Sequence, residues 1–140
     1  MNPYDLVGEW ELARRVVDQA TGVHGRVSGD LRVSAETEGL VFAESGVLLW
    51  EGHRLPVSRV SRLRSVDGEW WMLFEDGRPF HPWRPGVPVV HPCGADTYDG
   101  LVDVDQDGRR MRTLWDVHGP AKSQRLITRF TRRGGFRQIG

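Results

Sequence analysis

Short glycine-centred turn signals punctuate this chain at close intervals: Ala20-Thr21-Gly22, Glu36-Thr37-Glu38-Gly39, Val66-Asp67-Gly68, Glu75-Asp76-Gly77, Asp105-Gln106-Asp107-Gly108 and Gly119-Pro120. Glycine accepts positive φ and aspartate tolerates it locally, so each can reverse the chain within a few residues. The segments between them are rich in Val, Leu, Trp, Phe and Arg and alternate with period two. Val27, Gly29, Leu31, Val33 and Ala35 fall on one face of a strand, against Arg26, Ser28, Asp30, Arg32 and Ser34 on the other. Met111, Thr113, Trp115 and Val117 repeat the pattern. No long segment has a helical period; only residues 3–7 suggest a single turn.

This spacing predicts an all-β chain of about eight to ten strands joined as consecutive hairpins. Closure into an antiparallel up-and-down barrel hides both sheet edges, whereas a two-sheet sandwich carries the same local signals. Glycines inside strands, such as Gly25 and Gly29, favour the barrel because tight bends need them. Gly8-Glu9-Trp10 opens the first strand and an arginine-bearing strand, Ile127-Thr128-Arg129-Phe130-Thr131-Arg132, closes the chain. If these two are neighbours, the Trp10 indole plugs one end and a guanidinium stacks over its face. The five-proline segment over residues 79–92 reads as the one long irregular connection, a lid or mouth loop.

With 140 residues, 39% of them apolar, the chain supports one core, read as a single domain over residues 1–140. Acidic and basic residues balance to zero net charge, which disfavours nucleic acid and anionic membranes as partners. The N-terminal residues lack the basic and then apolar stretch of a secretory signal. No apolar run approaches the roughly 18 residues of a membrane span. The lone Cys93 excludes an internal disulfide, and the expected location is cytoplasmic.

Four stretches carry a family likeness: Gly8-Glu9-Trp10-Glu11-Leu12, Phe74-Glu75-Asp76-Gly77-Arg78-Pro79-Phe80-His81, His91-Pro92-Cys93-Gly94-Ala95-Asp96-Thr97-Tyr98-Asp99-Gly100 and Trp115-Asp116-Val117-His118-Gly119-Pro120-Ala121-Lys122. Over nearly its whole length the chain resembles a bacterial and fungal family known only as a domain of unknown function, DUF6314. The resemblance implies a lipocalin-like, calycin-type barrel and brings no activity with it. One departure stands out: the family's last strand often reads Thr-Arg-Tyr, and here it is Thr128-Arg129-Phe130.

The densest chemistry lies between His81 and Tyr98. In extended chain His91 and Cys93 project to one face, and after a reversal at Gly94 so do Asp96 and Tyr98. Turned inward they form a polar patch able to move protons: Asp96 or His91 as a general base raised in pKa by burial among tryptophans, Tyr98 as a donor to a developing oxyanion, Cys93 as a nucleophile beside a cationic histidine. Imidazole and thiolate also suit a transition metal, but no paired CxxC or HExxH spacing is present, and neither metal nor other cofactor is expected. Arg59 lies in a strand over residues 55–63 on the face of Leu55, Val57, Ser61 and Leu63, which looks inward by its apolar content. A guanidinium there requires an anion, either Glu11, Glu44 or Asp96, or a group on a ligand.

The expectation is a container for a small, partly aromatic or carboxylated molecule, lined by Arg59, His81, Trp115, Lys122, Trp10 and Arg129. The alternatives are a barrel enzyme of isomerase, cyclase or decarboxylase type using the Asp96, His91, Tyr98 and Cys93 cluster, and an interaction module exposing Trp70, Trp71 and Trp83. Adjacent Trp70 and Trp71 must face opposite sides of a strand, which keeps a homodimer among the readings.

Overall fold

A computed structural model describes residues 2–134; Met1 and residues 135–140, which the single-domain reading takes in, lie outside the described residues. After a 3-10 turn at Pro3–Leu6 come ten strands: β1 (Gly8–Asp18), β2 (His24–Glu36), β3 (Gly39–Trp50), β4 (His53–Val66), β5 (Glu69–Phe74), β6 (Pro79–Pro82), β7 (Val89–Cys93), β8 (Asp96–Val104), β9 (Arg110–Gly119) and β10 (Lys122–Arg132). All pairings are antiparallel, and the order β6-β5-β4-β3-β2-β1-β10-β9-β8-β7 is a meander rolled until only β6 and β7 face each other unpaired. The all-β barrel is therefore nearly closed, with one seam.

That seam explains the prolines. Residues 79–92 are not one irregular lid: they supply β6 and β7, the two edges of the sheet, where a proline's missing N–H leaves no ladder bond unmade. The linking residues are pinned on both sides, since the Trp83 N–H donates to the Trp70 carbonyl at 2.8 Å and the Gly86 N–H to the Val102 carbonyl at 2.7 Å. Rings close the seam from within, as Phe80 on β6 packs against Tyr98 on β8 and Trp115 on β9, both with centroids 5.1 Å away.

The expected alternation holds along β2 and β9, where Val27, Leu31, Val33, Met111, Trp115 and Val117 are buried and Arg26, Arg32 and Arg112 exposed. Two strand glycines make the inward face what it is. A side chain at Gly29 would run into β3, with Gly46 Cα only 2.6 Å from the added carbon. Gly100 lies directly opposite Trp115, whose indole covers the bare backbone and so enters the barrel.

Trp10 plugs one end with no exposed surface, its indole N–H donating to the Leu6 carbonyl at 3.0 Å. The stacked guanidinium is that of Arg132, directly opposite Trp10 and 4.3 Å from the ring centroid, and it also donates to the Asp5, Val7 and Gly108 carbonyls. Arg129, three residues earlier, has the opposite parity and points to solvent on the outer face.

Candidate functional site

Moving away from the plugged end, the inward face of β1 runs Trp10, Leu12, Arg14 and Val16, so a guanidinium follows two buried apolar groups. Gly29 on β2 and Gly46 on β3 offer no side chains on this face, leaving room for the long arginine. Arg14 donates to the buried Thr128 hydroxyl at 2.8 Å and grips Glu44 on β3 through both its terminal nitrogens, at 3.0 and 3.1 Å. Directly opposite Glu44 on β4 stands Arg59, 2.9 Å from the same carboxylate. Of the three protein anions proposed for Arg59, Glu44 is the one it meets. Burial pushes the Glu44 carboxyl up, but the Arg59 and Arg14 guanidiniums outweigh that and hold it below the usual carboxylate range.

This three-residue girdle separates two chambers. On one side lies an aliphatic chamber of about 230 Å³ bounded by Leu12, Val16, Val27, Leu48, Val57 and Leu126, toward the turns that join β1 to β2 and β3 to β4. On the other lies an aromatic chamber of about 60 Å³ with Phe42, Phe74, Phe80, Trp83 and Trp115 in its wall and Arg59, Ser61, His81 and Thr113 as polar contributors. Solvent reaches the girdle at Arg59, whose side chain is 49% exposed. β4 pairs with β5 only over Ser61–Val66, so residues 53–60 have a neighbour on one side alone.

His81 is the buried imidazole of the aromatic chamber, 3% exposed. A register shift between Met72 and Leu73 of β5 lets consecutive Phe80 and His81 both face inward, which simple alternation forbids. The His81 ring lies 4.7 Å from Trp115, and its Nδ1 sits 2.8 Å from the Pro82 carbonyl. Nδ1 must therefore carry the proton, leaving a lone pair on Nε2. Burial lowers its pKa to about 4, with the Pro82 carbonyl opposing and the His91 and Arg59 charges adding to the drop.

A pH dependence of stability follows. From an ordinary value of 6.5 down to about 4 the unfolded chain holds a proton on His81 that the folded chain refuses, so stability is full above pH 6.5 and falls as the medium is acidified. Between pH 7 and 5 the loss from this group is about 2 kcal/mol. Glu36, Glu44 and Asp116 act in the same direction but below their ordinary values of 4.5 and 3.8. Urea unfolding at the two pH values should show this slope in the wild type and a flatter one in His81→Phe; equal slopes would refute a neutral buried imidazole.

The hairpin of β7 and β8 sets Cys93 opposite Asp96 and His91 opposite Tyr98, so the four residues share a face. They do not form a buried acid–base cluster. Asp96 is partly exposed at the rim, 3.6 Å from the Lys122 ammonium, because Gly119 and the turn after it lie beside it and not a wall of tryptophans. Tyr98 packs inside against Phe80 and Trp115, while the His91 ring meets Trp71 with centroids 6.3 Å apart across the seam. Trp10, Lys122 and Arg129 line neither chamber; Arg59, His81 and Trp115 do. Trp70 packs on the core, Trp83 lines the aromatic chamber, and no tryptophan is among the exposed large apolar residues described. Sequence reasoning passed over Arg14, whose parity with Trp10 and Leu12 was the available signal.

Among the described residues no group of three or more His, Cys, Asp or Glu side chains is placed to hold a metal ion, and no helix is long and apolar enough to cross a membrane. Fold and site together define a nearly closed antiparallel β-barrel with a charged girdle between two internal chambers. The chain matches the family of unknown function DUF6314 over residues 6–132 and belongs to it. None of the curated proteins matches it.

Proposed function

We propose that this protein is a lipocalin-like container that binds a small apolar molecule bearing a carboxylate, in a cytoplasmic setting suited to its single thiol. The observation that carries this reading is one carboxylate, Glu44, shared by two guanidiniums, Arg14 and Arg59. The girdle holds a net positive charge next to an apolar chamber, and an incoming anion completes it. Volume favours the aliphatic chamber as the seat of the apolar part. A cavity of about 150 Å³ accepts a benzene ring; 230 Å³ leaves space for a chain of modest length, whereas 60 Å³ does not hold a ring.

Titration calorimetry with octanoate and 1-octanol tests the reading. The carboxylate is expected to bind at least tenfold more tightly than the alcohol, since hydrogen bonds to charged groups contribute about 1.5–3 kcal/mol. Arg59→Leu is expected to remove most of that preference. Equal affinities for the two probes, or no binding of octanoate at millimolar concentration, would sink the proposal.

A further inference from the structure

The zero net charge of the chain conceals an uneven distribution. Arg15 on β1 stands directly opposite Arg26 on β2, and the same row across the outer wall of the barrel continues with Leu49 on β3 and Arg54 on β4. Arg129 on β10, paired with Ala13, lies in the next row. All four arginines are exposed, and none has an ion pair, side-chain hydrogen bond or ring contact with a described residue. Outward arginines elsewhere on the wall, Arg32, Arg62, Arg64, Arg112 and Arg125, each hold a carboxylate. Like charges directly opposite each other weaken a sheet, so folding gains nothing from setting Arg15 against Arg26.

We infer that this part of the wall docks on an anionic lipid bilayer, with the four guanidiniums among the headgroups. Charge complementarity carries the inference: from β10 to β4 the two rows hold Arg129, Arg15, Arg26 and Arg54 and no carboxylate, and a negatively charged surface supplies what they lack. Between the arginines stand Ile127, Leu49, Val47 and Pro56, of which Leu49 is 40% exposed. Aliphatic groups interleaved with guanidiniums suit the boundary between headgroups and acyl chains, and they gain nothing against a nucleic-acid backbone. The outer wall of a barrel is convex, which gives a protein partner no pocket for buried anchors, whereas lipid headgroups rearrange around it. On their inner side the same strands carry Val16, Val27, Leu48 and Val57 of the aliphatic chamber, so docking would set that chamber beside the membrane. None of the four arginines lines either chamber, and the inference does not depend on the carboxylate-binding reading.

The test is co-sedimentation of the full chain at low salt with vesicles of phosphatidylcholine alone and of phosphatidylcholine mixed with phosphatidylglycerol. Only the anionic vesicles should take up the protein, and added salt should release it. An arginine at such a surface strengthens binding about fivefold, so Arg15→Gln combined with Arg26→Gln should weaken it about 25-fold. Arg109 and Arg110, also exposed and without an ion pair among the described residues, lie where β8 turns into β9 and provide the control. Replacing both by Gln changes the net charge equally and should cost less than about fivefold, with circular dichroism showing both double variants folded. Equal losses in the two double variants, uptake that ignores lipid charge, or no uptake by either vesicle overturns the inference. Retention on an immobilised DNA duplex that needs Arg15 and Arg26, without vesicle binding, also overturns it and assigns the wall to nucleic acid.

Discussion

Trp10→Ala is expected to lose about 3–5 kcal/mol of stability, the range for truncating a large buried ring to a methyl group. Three effects combine at this position. The indole is wholly buried at the plugged end, so its removal leaves a cavity under Leu6 and the 3-10 turn. The Leu6 carbonyl loses its donor. The Arg132 guanidinium loses the face over which it stacks, although its bonds to the Asp5, Val7 and Gly108 carbonyls persist. Domains of this size are stable by roughly 5–15 kcal/mol, so the variant surrenders a large share. Its thermal midpoint should drop by about 10–20 °C in circular dichroism. Trp10→Phe keeps most of the volume and should fall in between. A loss below about 1 kcal/mol for Trp10→Ala would mean that the barrel end is held by something other than this ring.

The plug was legible because its parts are local or terminal. A Gly-x-Trp step opening β1 and arginines in β10 can meet only if the first and last strands pair, and they do. Which arginine meets the indole was not legible. Ile127, Arg129 and Thr131 form one face of β10 and Thr128, Phe130 and Arg132 the other, each with one apolar group and one guanidinium, and a one-residue change of register exchanges them. Arg59 could be turned inward from sequence because Leu55, Val57 and Leu63 share its parity. His81 could be named from its chemistry, yet alternation sets it and Phe80 on opposite faces; both are buried because His81 stands opposite buried Met72 and the register shift after Met72 brings Phe80 to the same side. The placement of the Asp96 group was legible only in part. Spacing correctly set the four residues on one face of a hairpin, but spacing carries no information on height along the barrel, and the turn at Gly94 and Ala95 leaves Asp96 at the rim.

Height is what gives Glu44 its importance, and Glu44→Gln is the second large effect expected. The substitution keeps shape and removes the one charge that two guanidiniums share. Glu44 is 11% exposed and Arg14 13%, so Arg14 is left facing a neutral amide in a site poorly reached by water. Breaking a buried pair by deleting one partner costs about 3–5 kcal/mol. Arg59 softens this because it is half-exposed and can turn to solvent, which places the expected loss near 3 kcal/mol. The same change should improve the barrel as an anion receptor: with no internal carboxylate to compete, octanoate should bind at least tenfold more tightly than to the wild type. Added octanoate should then raise the unfolding midpoint of Glu44→Gln more than that of the wild type, since stabilisation by a ligand grows with its concentration over its dissociation constant. Arg14→Leu in the Glu44→Gln background should abolish the gain. If Glu44→Gln proves as stable as the wild type and no better at holding octanoate, the girdle is an ordinary structural ion pair, and the positive charge between the chambers does not define what the barrel carries.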